Sequence, residues 1–282
     1  MFQKIALIFI ATFVFIVANT VAQEQESLAD KYFKDTKKYF QEGDFENVFL
    51  YCKKILEIDP NYEMAYYVMG RAYILTNKPN DAIPMLEKAL SINPNDSFCY
   101  VSLGEAYMRL GQYERGIVAV KKALLLTPEN KKSSAAAYVT LACIYMKIGQ
   151  FKESYGAFEK AKNINENFGD IYANLGTLYC YMNQPEKAKE NYKKAIAIYN
   201  SQNLIALTKA SEKQLNAVDK CHIAIYLTDQ KTAYIGVLTE ETDTCLKVKG
   251  DRYLKVAGGS TVLNGVEDKI DKSEIERIDL IR

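Results

Sequence analysis

The chain has 282 residues, of which 49% are hydrophobic and 25% are charged. This composition is typical of a soluble globular protein and argues against intrinsic disorder. Lys and Arg total 36 and Asp and Glu total 35, which leaves a net charge of +1. Because no strong overall field attracts anions, nucleic acid is excluded as an expected partner, and any partner is chosen by local surface.

The N-terminus has the pattern of a secretory signal. Lys4 precedes an apolar run at 5–18, and small residues follow up to Ala22. This layout predicts a signal peptide at 1–22, cleaved after Ala22, and then a linker at 23–28. An uncleaved anchor formed by 5–18 stays an alternative, although that run is shorter than the ~20 residues that a membrane span needs. We therefore expect an exported protein, periplasmic or otherwise extracytoplasmic, which contacts the membrane only if this segment is retained.

Five stretches of the chain then repeat one pattern, at 29–62, 63–96, 97–130, 135–168 and 169–202. Each has a tyrosine at its positions 4 and 11, a small residue at position 8 and an apolar residue at position 27. Positions 4, 8 and 11 follow the spacing of one helical face, and positions 20, 24 and 27 do the same for a second helix. The tyrosines are Tyr32, Tyr66, Tyr100, Tyr138 and Tyr172 at position 4, and Tyr39, Tyr73, Tyr107, Tyr145 and Tyr179 at position 11. Position 8 holds Thr36, Gly70, Gly104, Ala142 and Gly176.

This pattern resembles the tetratricopeptide repeat (TPR) family, whose unit of 34 residues folds as two antiparallel helices. The resemblance covers 29–202 and implies an α-solenoid of five TPR hairpins in a right-handed superhelix. It also implies that the repeated tyrosines are mainly structural and bury ring area between helices. A further helix predicted at 203–218 caps the end of the stack.

The resemblance implies a binding surface as well. In this family the first helix of each repeat lines a concave groove, mainly through positions 2, 5, 9, 12 and 13. Apolar side chains interleaved with charges there suit a peptide or a partner helix. For each single residue, packing against a neighbouring helix stays open as the alternative. The groove residues so implied are Lys37, Met64, Tyr67, Arg71, Ile74, Phe98, Val101, Glu105, Met108, Arg109, Val139, Met146, Lys147 and Tyr181.

The residue pattern of the chain changes at 219–282. Short runs such as TAYIGVLT and RYLKVAG are rich in β-branched and aromatic residues and are separated by turn residues. About five strands in ~60 residues predict a small all-β domain, an SH3-like or Sm-like barrel. We interpret this segment as a docking module or terminal cap, whose strand edges can pair with another chain.

The six cysteines and the single histidine favour neither metal binding nor catalysis. The sequence has no CxxC pair, no HExxH or GxSxG motif and no glycine-rich phosphate loop, so we expect no metal, no cofactor and no enzyme. Cys52, Cys99, Cys143 and Cys180 are interpreted as small buried hydrophobes. In an oxidising compartment, a disulfide between Cys221 and Cys245 is an open alternative to two free thiols.

These patterns together predict an exported TPR adaptor or scaffold that binds a peptide or partner protein segment and performs no chemistry. A first alternative is a structural subunit of a cell-envelope assembly, in which the solenoid is a spacer and the β module contacts the partner. A second alternative is an enzyme of unrecognised type, whose carboxylates are brought together only by folding.

Overall fold

A computed structural model describes residues 28–126, 131–218, 222–227, 232–241, 245–256, 259–271 and 275–281. The chain forms two compact units, Met1–Ala106 and Tyr107–Arg282, called here the N-terminal part and the C-terminal part. The predicted signal peptide at 1–22 lies outside the described residues. Among the helices that are described, none combines the length and the apolar character that crossing a membrane requires.

Eleven helices make up the described residues before 218. They are α1 at 28–42, α2 Phe45–Ile58, α3 Glu63–Leu75, α4 Pro79–Ile92, α5 Ser97–Arg109, α6 Tyr113–Leu126, α7 Lys131–Lys147, α8 Phe151–Ile164, α9 Gly169–Tyr181, α10 Pro185–Ser201 and α11 Ile205–Asn216. In chain order, α1 to α10 alternate as first and second helices of the five repeats. Helix α7 begins four residues before its predicted repeat, and Ser133 and Ser134 in this additional turn are buried.

The loop between the two helices of a repeat depends on one left-handed residue. Gly43 and Asn77 have φ angles of 75° and 58°. Gly and Asn adopt this conformation more readily than other residues, which is why the first helix stops there. The next amide then turns back onto the helix: the Asp44 N–H donates to the carbonyl of Tyr39 at 2.9 Å. This turn reverses the direction of the chain and leads into the second helix.

The two helices of a repeat meet where a small residue faces a large one. A Cβ added to Gly70 would lie 2.7 Å from Leu86, and one added to Gly176 would lie 2.8 Å from the ring of Tyr192. Leu86 and Tyr192 occupy position 24 of their repeats, on the second helix, and both are fully buried. Close packing of this kind leaves no room for an extra methyl group, so position 8 must be small.

Five strands follow the last helix. They are β1 His222–Leu227, β2 Thr232–Glu241, β3 Cys245–Val256, β4 Gly259–Asp271 and β5 Ile275–Ile281. They pair antiparallel in the order β4-β3-β2-β1-β5. Among the described strands, β4 and β5 are therefore the two ends of the sheet.

The predicted fold class is wrong in its last part, because the structure shows no separate all-β domain and no closed barrel among the residues it describes. The described strands form a sheet with two ends. Ile270 on β4, with Ile275 and Ile278 on β5, belongs to the same hydrophobic cluster as residues of helices α7 to α10. The apolar face of β5 is thus covered by the helices rather than by other strands alone. The fold shown is a helical TPR solenoid whose last repeats share their core with a sheet.

Candidate protein-binding surface

We call the side of the repeats formed by their first helices the first-helix surface. In the N-terminal part this surface is charged and partly exposed. Arg71 Nη1 lies 2.6 Å from Glu105 Oε2, and their side chains are 27% and 22% exposed. Both occupy position 9, so the ion pair joins two consecutive repeats. Met64 at position 2 is 36% exposed, and Lys37 Nζ lies 4.5 Å above the ring of Phe33.

The apolar groove residues of the N-terminal part are less accessible. Ile74 is fully buried and Val101 is 8% exposed. Tyr67 and Phe98 are half-buried, and burial raises the pKa of the Tyr67 hydroxyl. These side chains contribute more to packing between helices than to a free surface, which the sequence left open as their alternative role.

Met108 and Arg109 belong to the C-terminal part, near the end of α5. Met108 is half-buried and Arg109 is exposed. They occupy positions 12 and 13 of the third repeat, and Met146 and Lys147 occupy the same positions of the fourth. A solvent-facing cation at position 13 is thus followed one repeat later by the half-buried Lys147.

In the fourth and fifth repeats, strand β5 lies on the first-helix surface. Val139, Met146 and Tyr181 were predicted as groove residues, and they are only 8%, 4% and 2% exposed. They share one hydrophobic cluster with Ile275 and Ile278 of β5. This surface, formed by Val139, Met146, Lys147 and Tyr181, is called the β5 site below.

Two polar groups of the β5 site point at the backbone of the strand. The hydroxyl of Tyr181 donates to the carbonyl of Ile278 at 3.4 Å. Lys147 Nζ lies 3.5 Å from the same carbonyl oxygen and 3.5 Å from the Tyr181 hydroxyl. Lys147 and Tyr181 both occupy position 13, and both donate to one main-chain carbonyl of an extended segment.

The sequence analysis missed a repeated contact between lysine and tyrosine. A lysine at position 26 lies over the tyrosine at position 4 of the same repeat, at 4.3 Å from the ring centre for Lys194 and Tyr172 and at 5.5 Å for Lys160 and Tyr138. Lys54 and Lys88 make the same contact in the first two repeats. The signal was present, because all five repeats have lysine at position 26. Three of these rings, Tyr32, Tyr66 and Tyr138, are half-buried, and Tyr172 is buried, so the lysines lie over tyrosines of differing exposure.

One cluster in the N-terminal part has the donor atoms of a metal site. Oxygen atoms of Glu63 and Asp96 and the sulfur of Cys99 lie within 4.8 Å of one another, the one such group among the described residues. Burial and a hydrogen bond shared with Asp96 raise the pKa of Glu63 to about 7. Burial also raises the pKa of the Cys99 thiol. Near neutral pH the Cys99 thiol therefore keeps its proton, and Glu63 loses its proton at a higher pH than an ordinary glutamate does.

The helical cysteines behave as hydrophobic residues. Cys52, Cys99 and Cys180 are buried, as predicted, whereas Cys143 is half-buried and its sulfur donates to Asn174 Oδ1 at 3.4 Å. Burial raises the pKa of Cys52 to about 12, which suppresses its reactive thiolate. The possible disulfide between Cys221 and Cys245 lies outside the residues whose side chains the structure describes.

Family comparison agrees with the repeat pattern. Models described as tetratricopeptide repeat match residues 39–97, 76–132 and 133–201, which together span more than half of the chain. The chain belongs to the tetratricopeptide repeat family. The predicted TPR repeats are thus confirmed. Proteins with this fold are generally scaffolds for protein interactions rather than enzymes.

Solved structures show the same fold. A thermophilic TPR protein of Thermus thermophilus, TTC0263, matches with a TM-score of 0.59 at 17% identity, over 66% of this chain and 98% of its own. PilW, a type IV pilus biogenesis factor, matches with a TM-score of 0.53 at 18% identity, over 67% of this chain and 93% of its own. PilF of Pseudomonas aeruginosa matches with a TM-score of 0.52 at 16% identity, over 69% and 93%. No curated protein matches the chain.

Proposed function

We propose that this TPR protein is an exported adaptor that binds a segment of a partner protein on its first-helix surface and performs no chemistry of its own. One observation carries the proposal: on the fourth and fifth repeats, this surface holds an extended segment of the chain, strand β5. A surface that accepts one extended polypeptide through apolar contacts and a main-chain carbonyl is suited to accept another.

In the N-terminal part, the first-helix surface is more accessible to a partner than it is in the fourth and fifth repeats. The first-helix surface of this part carries both an exposed apolar side chain, Met64, and charged groups, Lys37 and the Arg71–Glu105 ion pair. Apolar side chains provide contact area, and the charges orient the partner segment. Export is supported by the N-terminal pattern of Lys4, the apolar run at 5–18 and Ala22.

Site-specific photo-crosslinking in the producing cells tests the proposal. A photoreactive side chain replaces Met64, on first helix α3, in one variant and Leu50, on second helix α2, in another; these positions are 36% and 48% exposed and lie in the same part of the chain. We expect adducts with partner protein at Met64 and few at Leu50. Equal yields at the two positions would remove the preference for the first-helix surface. An absence of adducts at both would favour the alternative in which the strands contact the partner.

A further inference from the structure

The position of β5 on the helices depends on an irregularity in its pairing. Tyr226 of β1 pairs with Arg277, but the next residue, Leu227, pairs with Ile275, so Glu276 is an extra residue in β5. Side chains alternate between the two faces of a regular strand, and a bulge of one residue shifts this alternation. As a result, Ile275 and Ile278 lie on the same face although they are three residues apart. The bulge gives the segment a recognisable shape, with two aliphatic side chains on one face.

The strand is held from two directions. On one edge, its backbone pairs with β1 from His222–Ile281 to Leu227–Ile275. Toward the helices, Ile278 is fully buried and Ile275 is 7% exposed, and the Ile278 carbonyl faces Tyr181 and Lys147. Because β5 is an end strand of the described sheet, its removal breaks one strand pairing and leaves the order β4-β3-β2-β1 intact.

We propose that β5 occupies, within its own chain, a binding site for a partner segment of the same chemistry. The ligand is an extended polypeptide that adds as a strand beside β1. Two of its aliphatic side chains, three residues apart, pack against Val139, Met146 and Tyr181. One of its carbonyls accepts hydrogen bonds from Lys147 and Tyr181. The partner segment therefore competes with β5. This inference rests on the proposed function and names its ligand class and its regulation.

Competition within one chain strongly favours the resident strand. A tethered segment acts at an effective concentration that reaches the millimolar range, so a free peptide of equal affinity is excluded at micromolar concentration. A partner gains access only if it binds more tightly than β5 or if β5 is weakened. The unmodified protein is thus expected to bind such peptides poorly. A substitution that weakens β5 is expected to increase peptide affinity.

The probe is a fluorescent synthetic peptide with the sequence of residues 273–282, SEIERIDLIR. It is titrated into the full-length protein and into the full-length Ile278→Asp variant, and binding is measured by fluorescence anisotropy. We expect the variant to bind the peptide at least about tenfold more tightly, because a buried charge weakens the resident strand. Arg277→Asp is the matched control: its register position lies on the opposite face of β5, so binding stays at the wild-type level.

Two further variants locate the peptide. Adding Lys147→Ala and Tyr181→Phe to Ile278→Asp removes both donors to the ligand carbonyl, and we expect affinity to fall by about threefold or more. A peptide with aspartate in place of both isoleucines that correspond to Ile275 and Ile278 is expected not to bind. Equal affinity for the wild-type and Ile278→Asp proteins would overturn the proposal, as would binding that is indifferent to the loss of Lys147 and Tyr181.

A measurement on the unmodified protein covers the case in which Ile278→Asp fails to fold. With the peptide in large excess, hydrogen exchange is expected to increase in β5 and to stay low in α7 and α9. Unchanged exchange in β5 would overturn the proposal. Concentration-dependent dimers of the wild-type protein that Ile278→Asp abolishes would also overturn it, because the second occupant would then be another copy of this chain. The crosslinking test of the proposed function uses Met64, in the N-terminal part, and the peptide test uses β5, in the C-terminal part. A negative outcome of one test therefore does not imply a negative outcome of the other.

Discussion

The first-helix surfaces of the two parts of the chain are built by the same repeat pattern but differ in charge and exposure. In the N-terminal part, position 9 of the second and third repeats carries the Arg71–Glu105 ion pair, and Met64 is 36% exposed. In the C-terminal part, Tyr181 is 2% exposed, because Ile275 and Ile278 of β5 pack in its cluster. The same repeat fold thus presents a charged surface in one part and a covered apolar surface in the other.

The difference shows that a TPR repeat specifies the position of its surface residues but not what covers them. Position 9 changes from Arg71 and Glu105 to Cys143 and Thr177, which removes charges from the surface that the isoleucines of β5 cover. In the N-terminal part, water solvates the charges that remain at position 9. In the fourth and fifth repeats, where these charges are absent, burying apolar area under β5 stabilises the contact by about 25 cal/mol per Å². Three sets of substitutions test this comparison, starting with the largest expected effect.

Ile278→Ala should destabilise the C-terminal part and leave the N-terminal part unchanged. Ile278 is fully buried, and removing its side chain opens a cavity between β5 and the helices. Such truncations cost about 2–5 kcal/mol. Hydrogen exchange resolved along the chain is the measurement, and we expect faster exchange in β5, α7 and α9 but not in α2 to α4. Arg277→Ala, at a register position on the opposite face, serves as the control with near-zero effect. Equal responses of the two parts would break the comparison.

Gly176→Ala should cost more than Gly70→Ala, although both glycines occupy position 8. The added methyl would meet the rigid ring of Tyr192 in the first case and Cγ and Cδ2 of the smaller Leu86 side chain in the second. Tyr192 has less freedom to move, since its hydroxyl lies 2.9 Å from Thr177 Oγ1. Overpacking of this kind costs about 1–3 kcal/mol, with Gly70→Ala expected at the lower end.

Denaturant unfolding of each glycine variant measures this difference. Gly156 in α8 is the matched control, because nothing lies within 4 Å of an added Cβ. Gly156→Ala should stabilise by about 0.5–1 kcal/mol, since alanine favours helix interiors. Destabilisation by Gly156→Ala, or a larger effect at Gly70 than at Gly176, would contradict this account of position 8.

The smallest expected effect is a pH dependence confined to the N-terminal part. The pKa of Glu63 is raised from 4.5 to about 7 by burial and by Asp96. The folded state therefore binds this proton more tightly than the unfolded state, and the stabilisation is present below about pH 4.5 and lost as pH rises through 7. Because Glu63 is only half-buried, water screens the repulsion, and we expect a loss on the order of 1 kcal/mol.

The Glu63→Gln variant isolates this effect, because glutamine keeps the shape of the side chain and does not ionise. Chemical unfolding between pH 5 and 8 should give a smaller decline in the free energy of unfolding for Glu63→Gln than for the wild type. Parallel pH profiles for the two proteins would show that the Glu63–Asp96 pair does not hold a shared proton.

Much of the helical fold was predictable because its causes are local. Position 8 could be read as a close contact, and Gly70 and Gly176 lie where an added methyl would clash with the second helix. The partner of that contact was less predictable: Leu86 and Tyr192 fill the same space with different shapes, which spacing alone does not reveal. Lysine at position 26 was visible in every repeat, but its place above the tyrosine at position 4 required coordinates.

The candidate surface was only partly predictable, for the same reason. The resemblance to TPR proteins selected Val139, Met146, Lys147 and Tyr181, and their grouping under β5 is the basis of the proposed ligand site. Their assignment to partner binding stays a prediction. The separate β barrel was a wrong prediction, because strand patterning indicates which residues form a sheet but not which of its faces a helix will cover.

The sequence by itself determined the helix hairpins, because their causes lie within one repeat: apolar side chains spaced along one helical face, one left-handed residue between the helices, and a small residue at position 8 facing position 24. The tertiary structure alone decided that the last strand covers the last two repeats. That contact joins Lys147 to Ile278 across 131 residues of chain. It depends on a single extra residue in the pairing of β5 with β1, and no local pattern encodes the place where two such distant segments meet.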